Sequence, residues 1–334
     1  MRLHLVDVAG FLMLFLQYWQ QRLQIDFHSQ YANQNEARDE YISYYICKVL
    51  HCYVTVPLSP SKGIICLFYV KNGIAVGRYS PVGKHTVLKT IHRYCDGFYT
   101  LPQQYQGTSV YVATDDGMMG NTLCHIDVRT GVLTVLGSVP EIEDNFAVYG
   151  DKLLFFEDDA LWTLNRTEAC YRYIGSFHRI NASFCVCEGK VYAFGGQDLM
   201  TSLSEAVDCY DPRTDSWTSL HRMVRPFMQQ GCVAIQHLIY VVGGRTSHYQ
   251  YRAVNTLWCY DTHSDTWTEL RAMPTPRFAP AVCVYDGRIY VMGGINGTTK
   301  KWLNVVESYD IQSNMWLSHA AMPWKLCRAW FGVE

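Results

Sequence analysis

Short apolar runs recur along the second half of the chain, and three of them end in a pair of glycines. They occupy residues 191–196, 239–244 and 289–294. Apolar runs of this length, rich in β-branched and aromatic side chains, predict strands that are buried on both faces. Because paired glycines permit positive φ angles and close approach of backbones, we expect each strand to end against another part of the chain.

A tyrosine and a tryptophan follow each glycine pair at a constant spacing. In all three copies the tryptophan comes seven residues after the tyrosine, and a polar turn with an aspartate at its start separates them. A repeat of about fifty residues made of short apolar strands is typical of a β-propeller built from kelch repeats. We therefore interpret the recurring residues as structural markers rather than as a catalytic or cofactor motif. These markers are Gly195, Gly196, Tyr210, Trp217, Gly243, Gly244, Tyr260, Trp267, Gly293, Gly294, Tyr309 and Trp316.

The first half of the chain follows the same layout without the paired glycines and the tryptophan. Apolar runs alternate with turn signals such as Asn72-Gly73, and every unit has a residue in the tyrosine position. The six marker positions are 79, 126, 164, 210, 260 and 309. The sequence thus predicts an all-β fold, a six-bladed kelch propeller of four-stranded antiparallel blades. Its repeats are clear over 180–323 and degenerate over 60–178.

The two ends of the chain carry separate expectations. Residues 324–334 match the opening strand of a further unit, so we expect them to complete the first blade, since ring closure removes exposed sheet edges. Residues 1–50 show no repeat and predict a short helical segment in front of a propeller at 51–334. The apolar run 9–16 is too short to span a bilayer, and Asp7 argues against a signal peptide.

The glycine pairs, the spaced aromatic residues and the Met-Pro pairs at 273–274 and 322–323 closely resemble kelch repeats. In particular the chain resembles the propeller of the BTB–kelch proteins, adaptors that bring substrates to cullin-3 ubiquitin ligases. In that family a BTB domain and a helical BACK domain precede the propeller. Residues 1–50 are too short for both, so we expect a shortened isoform, a fragment or a divergent member. The resemblance implies a monomeric chain that reaches cullin-3 only indirectly.

Composition narrows the function classes. The net charge is −2 and there is no basic block, which argues against a general nucleic-acid or membrane surface. Thirteen cysteines include no pair with zinc-finger spacing, and several lie in apolar runs. We expect buried, reduced thiols, a cytoplasmic protein, and no cofactor or metal.

The candidate binding residues lie in the loops that follow the second and fourth strands of each blade. In an antiparallel blade with strands A to D, the B–C and D–A loops emerge on one face, where the resembled family binds its partner peptide. Arginine and tyrosine typically dominate protein interfaces, and the positive balance of these loops predicts an acidic partner segment. The predicted contact residues are Arg225, Arg245, His248, Tyr249, Tyr251, Arg252, Arg277, Lys300 and Lys301.

Other interpretations of these residues stay open on the sequence. Arg225 and Arg277 recur near one repeat position, so either can instead bond loop carbonyls. An actin-associated kelch scaffold would use the same face. A kelch-fold enzyme such as an oxidase or sugar isomerase is the third alternative, with the acidic run 157–159 as its candidate acid–base group. The histidines show no common pattern for copper, so we expect a protein that is not an enzyme.

Overall fold

The structure is a computed structural model, and it describes only part of the chain. The helical segment predicted for residues 1–50 lies outside the described residues. All regular structure within the described part is β-strand, as the sequence predicted. The described residues are 64–70, 73–81, 86–91, 97–100, 109–115, 121–127, 132–139, 146–149, 152–157, 160–165, 170–198, 202–247, 252–323 and 331–333.

The described strands form six sheets of four antiparallel strands each, which confirms the predicted number of blades. Blade 1 contains β1 (Ile64–Val70), β2 (Gly73–Tyr79) and β3 (Thr86–Ile91). Blade 2 contains β4 (Gly97–Thr100), β5 (Ser109–Asp115), β6 (Asn121–Asp127) and β7 (Val132–Val139). Blade 3 contains β8 (Phe146–Tyr149), β9 (Lys152–Glu157), β10 (Ala160–Asn165) and β11 (Cys170–Ser176).

The second half of the ring holds the three regular repeats. Blade 4 contains β12 (Ser183–Cys187), β13 (Lys190–Phe194), β14 (Val207–Asp211) and β15 (Ser216–Ser219). Blade 5 contains β16 (Gly231–Ile235), β17 (Leu238–Val242), β18 (Leu257–Asp261) and β19 (Thr266–Leu270). Blade 6 contains β20 (Ala281–Tyr285), β21 (Arg288–Met292), β22 (Val306–Asp310) and β23 (Met315–Ser318).

The last strand, β24 (Phe331–Val333), closes the ring. It pairs antiparallel with β1, from Ile64 opposite Val333 to Cys66 opposite Phe331, and so supplies the fourth strand of blade 1. The closure predicted from the sequence is confirmed. Across the same seam the hydroxyl of Tyr79, at the first marker position, donates a hydrogen bond of 2.8 Å to the carbonyl of Ala320 in blade 6.

The paired glycines sit where two neighbouring loops approach most closely. Gly195 and Gly243 have φ angles of +60° and +64°, which residues with a Cβ adopt only at a cost in free energy. A Cβ on Gly195 would lie 2.2 Å from the carbonyl oxygen of Phe227, and one on Gly243 would lie 2.5 Å from that of Arg277. Glycine is therefore needed both for backbone angle and for space.

The marker aromatics fill the space between adjacent blades, which agrees with their interpretation as structural markers. Tyr260 is buried, and its ring centroid lies 4.8 Å from that of Trp267 in the same blade. Both rings pack against Phe194 of blade 4, at centroid distances of 5.9 and 5.7 Å. The indole of Trp267 also donates a hydrogen bond to the carbonyl of His221 in blade 4. Each aromatic pair thus joins its blade to the preceding one through burial and ring contacts.

Seven cysteines whose side chains the structure describes are free thiols, and six of these seven are buried. Burial disfavours the thiolate and raises the pKa of Cys187 and of Cys259 to about 11. It also raises the pKa of Cys185, Cys232 and Cys283. At neutral pH these groups are small protonated hydrophobes, which agrees with the sequence-based interpretation.

The degenerate blades differ from the regular ones in their outer strands. In blade 2, Gly137 pairs with Leu123 and Val135 pairs with Cys124, so that Leu136 is an extra, bulged residue. Blades 1 and 3 have the same irregularity in the pairing of their outermost strands. A bulge of this kind bends an edge strand and increases its twist.

Candidate partner-binding face

The B–C loops of blades 4 to 6 are fixed at their base by the same pair of backbone contacts. The residue after each glycine pair bridges the preceding D–A loop on one side and the end of its own B–C loop on the other. In blade 6, Ile295 bridges Phe278 and Trp302. Each loop is therefore held at both ends, which presents its middle residues on a defined scaffold. The corresponding bridges are Ile180–Gln197–Leu203 and Met228–Arg245–Ala253.

The blade 6 loop, residues 295–302, is described throughout. Its turn is organised by Asn296, whose side-chain oxygen accepts hydrogen bonds of 2.9 Å from the backbone N–H groups of Thr298 and Thr299. The backbone N–H of Lys300 donates to the carbonyl of Asn296 at 2.8 Å. This arrangement leaves Lys300 and Lys301 exposed, followed by Trp302 at 44% exposure. The loop therefore offers two cations beside a large aromatic surface.

The blade 5 loop adds one cation that is both described and exposed. The backbone N–H of Thr246 donates to the carbonyl of Arg252 at 3.1 Å, and Arg252 is exposed. The remaining predicted residues of this loop, His248, Tyr249 and Tyr251, lie outside the described residues. Their proposed role as contacts therefore stays a prediction.

The D–A loop between blades 4 and 5 contributes Arg225, which is exposed and follows Val224 at 60% exposure. Phe227, two residues later, is buried together with Met228. This loop therefore presents Val224 with the exposed cations Arg222 and Arg225, and it buries Met223, Phe227 and Met228.

Arg245 occupies a different environment from the one predicted. Its side chain is buried at 5% exposure, and its guanidinium carbon lies 5.1 Å from the ring centroid of Phe278. A guanidinium at this distance from an aromatic ring is attracted by the ring quadrupole. Arg245 therefore packs the D–A loop of the next blade against its own loop, and the prediction of an exposed contact residue is wrong for it.

Arg277 is completely buried, so its prediction as a partner contact is also wrong. Its guanidinium forms an ion pair of 2.6 Å with Glu307, and both side chains are inaccessible to solvent at 0% and 2% exposure. It also donates to the carbonyl oxygens of Gly293 and Val305, each at 3.1 Å. Burial lowers the pKa of Arg277, and the Glu307 carboxylate opposes that shift. The side chain has the structural role that the sequence left open, tying a D–A loop to the next blade.

Blade 4 repeats this arrangement with different residues. Arg179 donates to the carbonyl oxygens of Gly195 and Ala206, each at 2.7 Å, and forms a short ion pair with Asp208. Arg179 and Arg277 both lie four residues before the first strand of a blade. Their acidic partners are both the second residue of the third strand.

Blade 5 has an apolar pair at the same two positions. Phe227 lies four residues before β16, and Trp258 is the second residue of β18. The arginine and the acid are thus both replaced in the same blade. This pattern is visible in the sequence when the three repeats are aligned. From the sequence we instead assigned Arg225 and Arg277 to equivalent positions. Arg225 in fact corresponds to Thr275, because each lies six residues before the first strand of its blade.

The exposed charge of the described part of this face is positive. Its exposed cations include Arg225, Arg252, Lys300 and Lys301. The carboxylates in the described parts of the three B–C loops are those of Asp198 and Glu205, and both residues are half-buried. Asp198 accepts a hydrogen bond from the N–H of Ser202. We name these four cations, together with Val224 and Trp302, the basic loop surface.

The opposite face consists of short turns whose acidic groups are used locally. The side chains of Asp211, Asp261 and Asp310 accept hydrogen bonds from backbone N–H groups two residues further on. These donors hold the pKa of all three carboxyls below the usual range. The aspartate at the start of each of these polar turns therefore caps the turn.

Two further observations concern alternatives to a protein-binding face. No group of three or more His, Cys, Asp and Glu side chains in the described part of the chain is arranged to hold a metal ion. In that same part, no helix is long and apolar enough to cross a membrane.

Comparison with known proteins agrees with this architecture. Residues 181–323 match the sequence model of the KLHDC2/KLHL20/DRC7 kelch-repeats domain. The chain is 32% identical over 80 residues to "Kelch repeat and BTB domain-containing protein 2" of horsepox virus, covering 24% of this chain and 14% of the viral protein. It is 38% identical over 55 residues to human "Kelch-like protein 24", covering 16% of this chain and 9% of that protein.

Two further similarities have lower sequence identity. Alpha-scruin of Limulus polyphemus is 29% identical over 92 residues, which cover 28% of this chain and 10% of scruin. A solved structure titled "Structure of YjhT" superposes with a TM-score of 0.49 at 17% identity, covering 55% of this chain and 67% of that one. The matches to these curated relatives each span less than one fifth of the relative's length.

Fold and comparisons together define a class. The described part is an all-β propeller of six four-stranded blades, and residues 181–323 of it match a kelch-repeats domain. Its repeats resemble those of the kelch-like and BTB–kelch proteins. These findings support a kelch-type protein-interaction module, the coarser part of the function predicted from the sequence.

Proposed function

We propose that this protein binds a partner protein through the basic loop surface and recognises an acidic segment of it. The observation that carries the proposal is the blade 6 loop, where an internal turn presents Lys300, Lys301 and Trp302 together. Surface cations steer an acidic partner and set specificity, and an adjacent aromatic side chain can supply apolar burial. Arg225 and Arg252 extend the positive surface to neighbouring loops.

We further propose that the bound protein is a substrate delivered to a cullin-3 ubiquitin ligase. Support comes from the similarity to relatives whose names include kelch and BTB domains. In this proposal the chain is a monomeric, cytoplasmic substrate-recognition component without catalytic activity. It reaches cullin-3 through a BTB-containing partner, and the divisions 1–50 and 51–334 mark its N-terminal segment and its propeller.

Reversing two charges of the blade 6 loop is expected to remove the partner. We expect the variant Lys300→Glu with Lys301→Glu to lose affinity for the partner by about tenfold or more, equivalent to about 1.4 kcal/mol, because like charges then meet across the interface. The measurement is affinity purification from cells followed by quantitative mass spectrometry, after circular dichroism has shown that the variant is folded.

A variant with the same change in charge on the opposite face is the control. Lys190 and Arg213 are exposed residues of that face, and the variant Lys190→Glu with Arg213→Glu should retain the partner. Loss of the same proteins from both variants would contradict the assigned face. Recovery of cullin-3 with the unchanged chain supports the adaptor role, whereas its absence beside a face-dependent partner restricts the function to binding.

A further inference from the structure

The blade 6 loop contains an asparagine followed by a glycine, Asn296-Gly297. Asparagine is a thermolabile residue, because the backbone nitrogen of the next residue can attack its side-chain amide carbon, and a following glycine obstructs that attack least. We propose that Asn296 is a site of spontaneous deamidation, which introduces a carboxylate beside Lys300 and Lys301. Nothing in the repeat architecture requires this dipeptide, since the corresponding loop positions in blades 4 and 5 are Asp198 and Thr246.

The hydrogen bonds of the loop favour the attack at both reacting atoms. Two N–H groups, from Thr298 and Thr299, donate to Oδ1 of Asn296 at 2.9 Å and withdraw electron density from the adjacent Cγ. Among the described residues, the backbone N–H of Gly297 donates no hydrogen bond. The carbon to be attacked is thus polarised, and the nucleophilic nitrogen is not held by another acceptor.

The chemistry needs only water. The backbone nitrogen of Gly297 forms a bond to Cγ of Asn296, the Cγ–Nδ2 bond breaks, and ammonia leaves with the proton from the Gly297 nitrogen. Water then opens the five-membered imide at either carbonyl carbon. The product at position 296 is an aspartyl or an isoaspartyl residue, and each adds one negative charge at neutral pH.

The two products would act differently on the loop. An aspartyl group keeps an oxygen that can accept from Thr298 and Thr299, so the turn persists while its charge opposes the two lysines. An isoaspartyl link adds a carbon to the backbone and disrupts the turn that positions Lys300, whose φ angle is +54°. Either product is expected to weaken the binding of an acidic partner, and this consequence rests on the proposed function.

Asn314 is a matched internal control. It lies in the exposed C–D turn of the same blade. Its Oδ1 accepts from the hydroxyl of Tyr309 and from the N–H of Arg271, at 2.8 and 3.1 Å. The residue after it is Met315, which has a side chain and begins β23. Asn314 is exposed and Asn296 is half-buried, whereas a glycine follows only Asn296. Faster reaction at Asn296 would therefore not be explained by greater exposure.

The test follows peptide masses of the purified full chain during incubation at neutral and mildly alkaline pH. We expect the peptide with Asn296 to gain the mass of an amide-to-acid conversion faster than the peptide with Asn314, and faster at higher pH. The variant Gly297→Ala should slow the gain several-fold. A urea-unfolded sample of the same chain is the positive control, because it shows that deamidation would be detected. If Asn296 stays intact in the folded chain, or reacts no faster than Asn314, the proposal is overturned.

A binding measurement separates this proposal from the proposed function. The variant Asn296→Asp should recover less partner than the unchanged chain, in the direction of the Lys300 and Lys301 reversal. If Asn296 deamidates and Asn296→Asp still binds fully, the modification site stands and the charge-based binding proposal fails. If Asn296→Asp binds weakly but Asn296 never deamidates in the folded chain, the binding proposal stands and the modification site fails.

Discussion

Replacing Arg277 by alanine is expected to destabilise the propeller by about 3–5 kcal/mol, the usual cost of leaving a buried charge without its partner. The change removes the ion pair with Glu307 and the bonds to the carbonyls of Gly293 and Val305. The hydroxyl of Thr275, which donates to Oε1 of Glu307 at 2.6 Å, would remain beside the unpaired carboxylate. The measurement is the free energy of unfolding from urea denaturation. Arg225→Ala is the control, and this exposed change should cost about 0.5 kcal/mol or less.

The residues of blade 5 provide a rescue. Arg277→Phe combined with Glu307→Trp installs in blade 6 the pair that blade 5 has as Phe227 and Trp258. Replacement of a buried ion pair by apolar groups is often neutral or stabilising, so most of the lost free energy should return. A double variant that is as unstable as Arg277→Ala would contradict the equivalence of the two pairs.

Gly195→Ala is expected to destabilise the fold by at least about 2 kcal/mol, because strain at a positive φ angle and a backbone clash act together. The new Cβ would lie 2.2 Å from the carbonyl oxygen of Phe227, a backbone atom that cannot rotate away. That carbonyl also accepts the N–H of Gly196 at 2.9 Å, so moving it disturbs the joint between blades 4 and 5. Thermal and urea unfolding both report the loss.

Gly287→Ala separates the two causes. Gly287 has a φ angle of +71°, close to the +60° of Gly195, but no atom lies within 4 Å of the position of its Cβ. Its substitution should cost only the left-handed conformation, about 1–2 kcal/mol. If Gly195→Ala costs no more than Gly287→Ala, the close approach of the Phe227 loop does not constrain this joint.

The parts of the fold that repeat could be predicted from the sequence. The glycine pairs and the Tyr–Trp spacing recur because every blade packs on its neighbour in the same way, so one local pattern reports a global arrangement. Tyr79 could be assigned to the first marker position although no tryptophan follows it, because the spacing of the later repeats leads to that position. The bulge at Leu136 could not be predicted, because one extra residue in an edge strand shows only in the register of its partner.

The candidate site was predicted less completely, and the arginines show why. Arg225, Arg245 and Arg277 are all loop arginines, yet only Arg225 is exposed. The buried guanidinium of Arg277 is bound by Glu307, thirty residues later in the chain, and by two backbone carbonyls of the next blade. Such partners become visible in a sequence only when the repeats are compared with one another. Lys300 and Lys301 are exposed, in a loop that closes through its own residues, and their role as partner contacts stays a prediction.

The binding account depends on which face of the propeller contacts the partner. Hydrogen exchange measured by mass spectrometry, with and without the partner recovered by affinity purification, tests this most directly. The account predicts slower exchange on binding in residues 295–302 and 224–226, and unchanged exchange in the turns 212–215, 262–265 and 311–314. Slower exchange confined to those turns, with the blade 6 loop unaffected, would contradict it.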